Sequence, residues 1–340
     1  MSKNKATIYD IAKELAVTPS TVSRALSNHP RISTKTKEAV KVIAERLNYQ
    51  HNGIAAALRS GKTHIIGVMI PTVNRSFFSS VIRGIEQVAR QAGYNVMITQ
   101  SNDLEEIERS NIEAMLKTQV DGVIASIARD TTNYSHYQRI ISEKIPLVLF
   151  DRVTEISNAS TVVIDDYLGA YKATEHLINQ GFKRIAHFGG KAHLNIYKYR
   201  KRGYQEALEA NGIAFDESLV YNSNVQLEDG RIGMEHLLQL ANPPDAIFAA
   251  SDYSAIGAMQ VLKERNIKVP DEIALVGFAD ESFAAFVEPQ LTSVNQMSEQ
   301  MGQFAAKIFL EQIKSEATLF IPTKTVLTPQ LVVRSSSKKP

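Results

Sequence analysis

The chain has 340 residues, 38 Lys or Arg against 36 Asp or Glu, a formal net charge of +2 and no cysteine. That length exceeds what one parallel sheet needs, and the lack of cysteine excludes a disulfide framework, thiol redox chemistry and a thiolate metal site. No apolar run reaches membrane-spanning length and no apolar leader precedes Ala6, so a cytoplasmic protein with no membrane partner is expected.

Charge is unevenly spread. Residues 1–60 carry ten basic and four acidic side chains, a net +6, which leaves −4 on the remaining 280 residues. A basic head on an acidic body suits a polyanion at one end only. In the head, Ile8, Ile11, Ala12 and Leu15 recur at helical spacing and Ala16-Val17 makes a corner. Thr18 is a cap and Pro19 a first helical residue for a second helix carrying Val22, Ala25 and Leu26. Ser33 caps a third, from about Lys35 to Leu47, with Ala39, Val42, Ile43 and Leu47 expected inward. Three short helices with a tight corner between the first two predict a helix-turn-helix domain. A helix in the major groove reads base edges with its first exposed residues, which points to Thr18, Ser20, Thr21 and Arg24. Pro19 can add apolar contact only. Thr7, Tyr9, Ser23, Asn28, Arg31, Ser33 and Thr36 are the candidates for holding phosphates. The next stretch, Asn52–Arg59, is rich in alanine but too short to hold a helix alone.

The motifs TIYDIAKELAVTPSTVSRAL, STKTKEAVKVIAERLNY and NGIAAALRSGKTHIIGVMIP resemble those of the LacI/GalR family of bacterial transcriptional regulators. The resemblance implies a headpiece over 1–50 and a hinge over 51–61 that becomes helical when two subunits lie on DNA. Leu58 would then enter the minor groove with Ala55 and Ala56 beside it and Arg59 on the same strip, an apolar wedge of a kind that kinks duplexes, and Asn52 is a further DNA-contact candidate in this segment.

Beyond Gly61, short apolar runs alternate with amphipathic segments. Strands are expected at 65–70, 94–99, 122–126, 146–150, 161–164, 184–188, 246–250 and 273–278, and helices at 76–91, 104–118, 134–143, 167–180, 201–211, 228–240, 253–265 and 297–314. This is α/β architecture with helices on both faces of parallel sheets. Residues 62–340 resemble the two-lobed type I periplasmic-binding-protein core, which implies three crossings between lobes, near 163, 292 and 324. The first lobe would hold 62–162 and 293–323, the second 164–291 and 325–340. Pro329–Arg334 reads as a closing strand, and Ser335–Pro340 as a disordered polar tail.

Ligands of such sheets bind beyond the carboxyl ends of the strands, so a cleft between lobes is the expected sensor. Polar and aromatic residues at those ends are Asn74, Phe77, Phe78, Ser126, Asp151, Arg200, Asp252 and Asp280. One of the two phenylalanines is equally suited to core packing, and Asp252 to capping its helix. Ala279 stands where the family usually has an acidic or amide residue, which removes one polar contact. No nucleophile, base and orienting acid stand at catalytic spacing and no phosphate-cradling loop occurs, so no enzyme activity and no cofactor are expected. The resulting expectation is a homodimeric repressor of carbohydrate genes. It binds a near-palindromic double-stranded operator under control of a small hydroxylated effector. A soluble sugar-binding protein and a purine-sensing corepressor-type regulator are the alternatives.

Overall fold

The structure, a computed structural model, describes residues 6–49, 61–156, 158–314 and 321–339. The chain divides into two compact units, Met1–Thr63 and His64–Pro340.

The first unit is three helices: α1 (Ile8–Glu14), α2 (Pro19–Leu26) and α3 (Thr34–Arg46). Ala16 takes a left-handed conformation, φ +49°, which turns the chain sharply between α1 and α2. Ile11, Ala12, Val22, Ala25, Val40 and Ala44 form the buried core. The inward stripe of α3 is therefore Val40, Ile43, Ala44 and Leu47, and Val42 is 61% exposed, contrary to expectation. Positions 40, 43, 44 and 47 follow the three-four spacing, and Val42 falls between them on the opposite side.

The second unit contains two six-stranded sheets, each the floor of one lobe. The first runs β11 (Lys324–Leu327), β5 (Ser160–Ile164), β4 (Leu147–Phe150), β3 (Gly122–Ala125), β1 (Ile65–Ile70), β2 (Asn95–Gln100). All its pairs are parallel. On one face lie α4 (Ser76–Gln91) and α11 (Ser298–Lys314), whose Val81, Ile85, Met301 and Phe309 pack against the strands. On the other lie α5 (Glu105–Lys117) and α6 (Ser135–Ser142), which contribute Ile112, Met115, Tyr137 and Ile140. Gly84 and Gly302 let α4 and α11 touch backbone to backbone. A Cβ on either would come to 2.1 Å of Glu299 O or 2.0 Å of Val81 O, so only glycine fits.

The second sheet runs β12 (Gln330–Val332), β10 (Thr292–Asn295), β9 (Ala274–Ala279), β8 (Ala246–Ala249), β6 (Ile185–Gly189), β7 (Val220–Asn222). Only β12 is antiparallel to its neighbour. Helices α7 (Asp166–Asn179) and α8 (Asn195–Ala210) cover one face, and α9 (Leu227–Leu238) and α10 (Asp252–Glu264) the other. Continuous apolar strands covered on both sides account for the buried runs of β6, β8 and β9.

The three crossings come later than expected. The chain leaves the first sheet after Ile164, returns after Asn295 and leaves again after Leu327, because β10 belongs to the second sheet and β11 to the first. Thr292–Asn295 is short and polar, and β11 is a half-exposed edge, so neither shows the apolar run by which the other strands are read. The tail also differs. Ser336 and Ser337 are fully buried. The Ser336 hydroxyl donates to Leu275 O at 2.6 Å and accepts from Thr292 N at 2.8 Å, and its backbone pairs with Leu275 N and Gln290 O. The buried ends of β9 and β10 need these partners, so the polar tail is ordered through Lys339.

Candidate functional site

In the head, local capping places the polar residues. Thr18 Oγ1 accepts from Thr21 N at 3.2 Å and shares hydrogen bonds with Ser20 Oγ and Thr21 Oγ1 at 2.8 and 2.9 Å. Three hydroxyls thus cluster at the amino end of α2, where backbone N–H groups point outward. Ser20 and Arg24 are exposed one turn apart, Pro19, Thr21 and Ser23 are half-buried, and Val22 and Ala25 anchor the opposite side. Tyr9 is 69% exposed, and Asn28, Arg31 and Ser33 are exposed as well. Ser33 caps α3, accepting from Thr36 N at 3.2 Å and bonding the Thr36 hydroxyl at 2.8 Å. Asn28 adopts φ +54° and its carbonyl accepts from Lys37 Nζ at 3.3 Å. The Thr7 N–H and hydroxyl both donate to Asp10 Oδ2 at 2.8 Å, which caps α1. Those bonds hold the Asp10 carboxyl below its ordinary range. Asn52, Ala55, Ala56, Leu58 and Arg59 lie outside the described residues.

In the body, the carboxyl ends of both sheets meet at a cavity lined by Arg75, Phe77, Phe78, Asp151, Arg152, Ile196, Tyr197, Arg200, Ala250, Ser251, Phe278, Ala279, Glu281 and Gln296. Its free volume is about 40 Å³, which holds a few waters. Arg200, on α8, is buried to 3% exposure. Its Nε donates to Asp166 Oδ1 at 2.7 Å, Nη1 to Ala250 O at 2.8 Å and Nη2 to Gln296 Oε1 at 3.3 Å. The guanidinium lies 3.7 Å over the Phe278 ring. Burial raises the Asp166 carboxyl to about 7 although Arg200 pulls it down. Burial likewise raises Asp151, against Arg152 and Arg200, and its one side-chain hydrogen bond among the described residues is a long one, 3.5 Å from Ser126 Oγ. Arg152 pairs with Asp103.

The lobes are bonded across the cleft. From the loop after β1, Arg75 Nη1 donates to Ser251 Oγ at 3.2 Å and Nη2 to Gln226 Oε1 at 2.9 Å, with the guanidinium 4.4 Å over Tyr253. Ser76 donates from both its N–H, at 2.7 Å, and its hydroxyl to Glu281 Oε2, and Tyr253 OH reaches Asn74 O at 3.0 Å. On the other flank Lys191 meets Asp130 at 2.8 Å, and Asn195 bridges Val153 N and Asp151 O.

Of the eight residues expected here, Phe77, Phe78, Asp151 and Arg200 line the cavity, and both phenylalanines also belong to the first lobe's core. Ser126 stands behind Asp151. The other three do not face it. Asn74 is exposed and offers Tyr253 only its carbonyl. Asp252 is fully buried and accepts from Ser293 Oγ and Glu281 N, with its carboxyl raised by burial to about 7. Asp280 turns away to Arg334, at 2.7 Å, and Asn295. The adjacent Ala279 sits at φ +127°, a strained conformation for an alanine, and this redirects the chain so that Glu281 faces the cavity instead. Arg75, Tyr197, Glu281 and Gln296 were not anticipated; Arg152, expected beside Asp151 at the end of its strand as a ligand donor or as the partner of Asp151, lines the cavity and pairs with Asp103. Position alone could have suggested Arg75, in the loop beyond β1, and Glu281, one residue past Asp280.

Residues 7–52 match the family described as bacterial regulatory proteins, lacI family, and residues 174–337 match the periplasmic binding protein-like domain. Over 334 residues, 98% of either chain, the sequence is 33% identical to the HTH-type transcriptional regulator DegA of Bacillus subtilis (strain 168). The chain belongs to the LacI family. It is 30% identical over 332 residues to the ribose operon repressor of Haemophilus influenzae, covering 97% of this chain and 98% of that one. A solved transcriptional regulator CelR–cellobiose complex is similar at a TM-score of 0.74 and 29% identity, over 98% of this chain and 100% of the other. This LacI-family member is a ligand-responsive, DNA-binding transcriptional regulator and not an enzyme, with the helix-turn-helix head and two-lobed α/β core typical of the family. Among the described residues, no helix is long and apolar enough to cross a membrane.

Proposed function

We propose that this regulator is a homodimeric cytoplasmic repressor of carbohydrate genes. It reads a near-palindromic operator with an affinity set by a small hydroxylated effector, a sugar or sugar derivative, in the interlobe cleft. The observation that carries this reading is the cavity itself: Asp151, Arg152, Arg200 and Glu281 surround aromatic faces of Phe77, Phe78, Tyr197 and Phe278, a combination that suits hydroxyls edge-on and an apolar ring face. Two relatives, a ribose operon repressor and a transcriptional regulator solved with cellobiose, favour the same class. About 40 Å³ is too little for a monosaccharide. Binding would open the lobes and exchange the bonds of Arg75 and Ser76 for bonds to ligand, which couples occupancy to lobe geometry.

At the other end, Thr18, Pro19, Ser20, Thr21 and Arg24 would meet base edges, while Thr7, Tyr9, Ser23, Asn28, Arg31, Ser33 and Thr36 hold phosphates. Leu58, with Ala55, Ala56 and Arg59 beside it, would wedge the minor groove between two half-sites read by two subunits, and Asn52 would contact the same DNA. Sequencing the genomic fragments retained by the full chain at physiological salt tests this directly. Enrichment of a near-palindrome, lost in Arg24→Ala, is expected. Uniform retention of all fragments, or no effect of the substitution, would refute specific reading.

A further inference from the structure

The cleft carries more acceptors than donors left to satisfy. Two carboxylates face it with an oxygen to spare. Glu281 is 2% exposed; its Oε2 takes the N–H and hydroxyl of Ser76, and its Oε1 has no partner. Asp151 is 4% exposed and takes only the long bond from Ser126. The three guanidinium groups at the cavity are already engaged: Arg200 on Asp166, Ala250 and Gln296, Arg152 on Asp103, and Arg75 on Ser251 and Gln226. Arg152 Nε alone is a buried donor without an acceptor. With Arg129 also paired to Asp103, four cationic groups stand among four carboxylates, those of Asp103, Asp151, Asp166 and Glu281, so the formal charges balance and no cation is left over for an anionic ligand.

A buried carboxylate oxygen can only accept, so the ligand must bring O–H or N–H to it, and an unpaired buried acceptor is costly. A phosphate or carboxylate brings acceptors and negative charge to the same oxygens, which is repulsive in a poorly solvated site. A hydroxyl both donates and accepts, and so satisfies Glu281 and Arg152 Nε alike. We propose that the cleft takes an uncharged polyhydroxylated ligand, a neutral sugar whose hydroxyls donate to Asp151 and to Glu281 Oε1, and that phosphorylated and carboxylated sugars are rejected. Glu281 is the residue that sets this preference, and Asp252, which accepts its backbone N–H at 2.7 Å, fixes where it points. The inference rests on the sugar-sensing reading above.

The test uses the full chain in calorimetric and thermal-shift titrations against matched probes. These are glucose, galactose, ribose and cellobiose, the corresponding sugar phosphates and uronates, and, as a separate arm, adenine, hypoxanthine and guanine. The proposal expects a neutral sugar to bind, with its anionic counterpart at least about tenfold weaker, a difference of about 1.4 kcal/mol. Glu281→Gln should weaken the neutral sugar by about the same factor and narrow the gap to the anion. An anionic sugar that binds as tightly as its neutral counterpart overturns the charge assignment and leaves the sugar reading standing. A nucleobase as the sole ligand, or no ligand in any arm, overturns the sugar reading itself. The comparison within the parent protein decides the matter even where Glu281→Gln does not fold.

Discussion

Replacing Arg200 by methionine keeps most of the side-chain volume and removes the charge. The substitution breaks two 2.7 Å contacts to Asp166 and the bonds to Ala250 O and Gln296, and strands a carboxylate that is 3% exposed. Breaking one side of a buried pair costs about 3–5 kcal/mol, which for a domain of this size lowers Tm by roughly 6–12 °C. Because burial already lifts Asp166 to about 7, the stranded group can escape by taking up a proton. Its folded pKa lies above its unfolded value, so its contribution to stability falls as pH rises from the unfolded value towards the folded one. Without Arg200 the folded pKa climbs further, and the deficit of Arg200→Met should widen as pH is raised above about 7. Adding Asp166→Asn removes the carboxylate and should restore at least about 1.5 kcal/mol. Urea unfolding followed by circular dichroism across this range measures all three proteins. A double variant no more stable than Arg200→Met at any pH would refute the assignment of Arg200 and Asp166 as a coupled buried pair.

Removing the cap hydroxyl in Thr18→Ala should cost the head about 1 kcal/mol, seen as faster amide exchange across α2 in the full chain, and unchanged exchange would contradict the capping assignment. Deleting residues 335–340 leaves the buried N–H of Leu275 and of Thr292 without acceptors; about 1–3 kcal/mol is expected for each, and an unshifted unfolding midpoint would show that the tail contributes nothing. His187 is fully buried between Tyr204 and Phe248, and burial lowers its pKa to about 4. Its unfolded form gains a proton that the folded form refuses, so its share of stability is present above about 6.5 and lost as pH falls towards 4. His187→Phe should flatten that acid loss, and identical pH dependence in both proteins would rule His187 out as its source.

Where one element made its own signal, the fold was legible in the sequence. Thr18-Pro19 and Ser33 announced the starts of α2 and α3 through cap chemistry that needs no tertiary partner. The apolar runs of β1, β4, β6 and β8 reflect burial on both faces. What remained hidden depends on distant partners. β10 and β11 are strands because a neighbour in the sheet pairs with them, and α8 begins at Asn195 with no side-chain cap, six residues before the expected start. Ser336 is buried only because β9 and β10 present open backbone groups to it.

The same division runs through the cleft. Arg200 and Asp151 stood at strand and helix positions where an α/β sheet binds ligands. Arg75 earns its place from Gln226 and Ser251, 151 and 176 residues away. Asp252 and Asp280 are acidic residues at the right strand ends whose carboxyl oxygens are occupied by Ser293, Arg334 and Asn295. Glu281 took over that position because Ala279 bends the chain at φ +127°.

The central claim is that a small ligand in the interlobe cleft sets operator affinity. It is tested most directly by fluorescence-anisotropy titration of the enriched operator with the full chain, with and without a sugar that stabilises the protein. The account predicts a change in operator Kd of about fivefold or more, in either direction, and its disappearance in Arg200→Met at a pH where that variant is folded. An operator affinity that stays the same with the cleft saturated would contradict it.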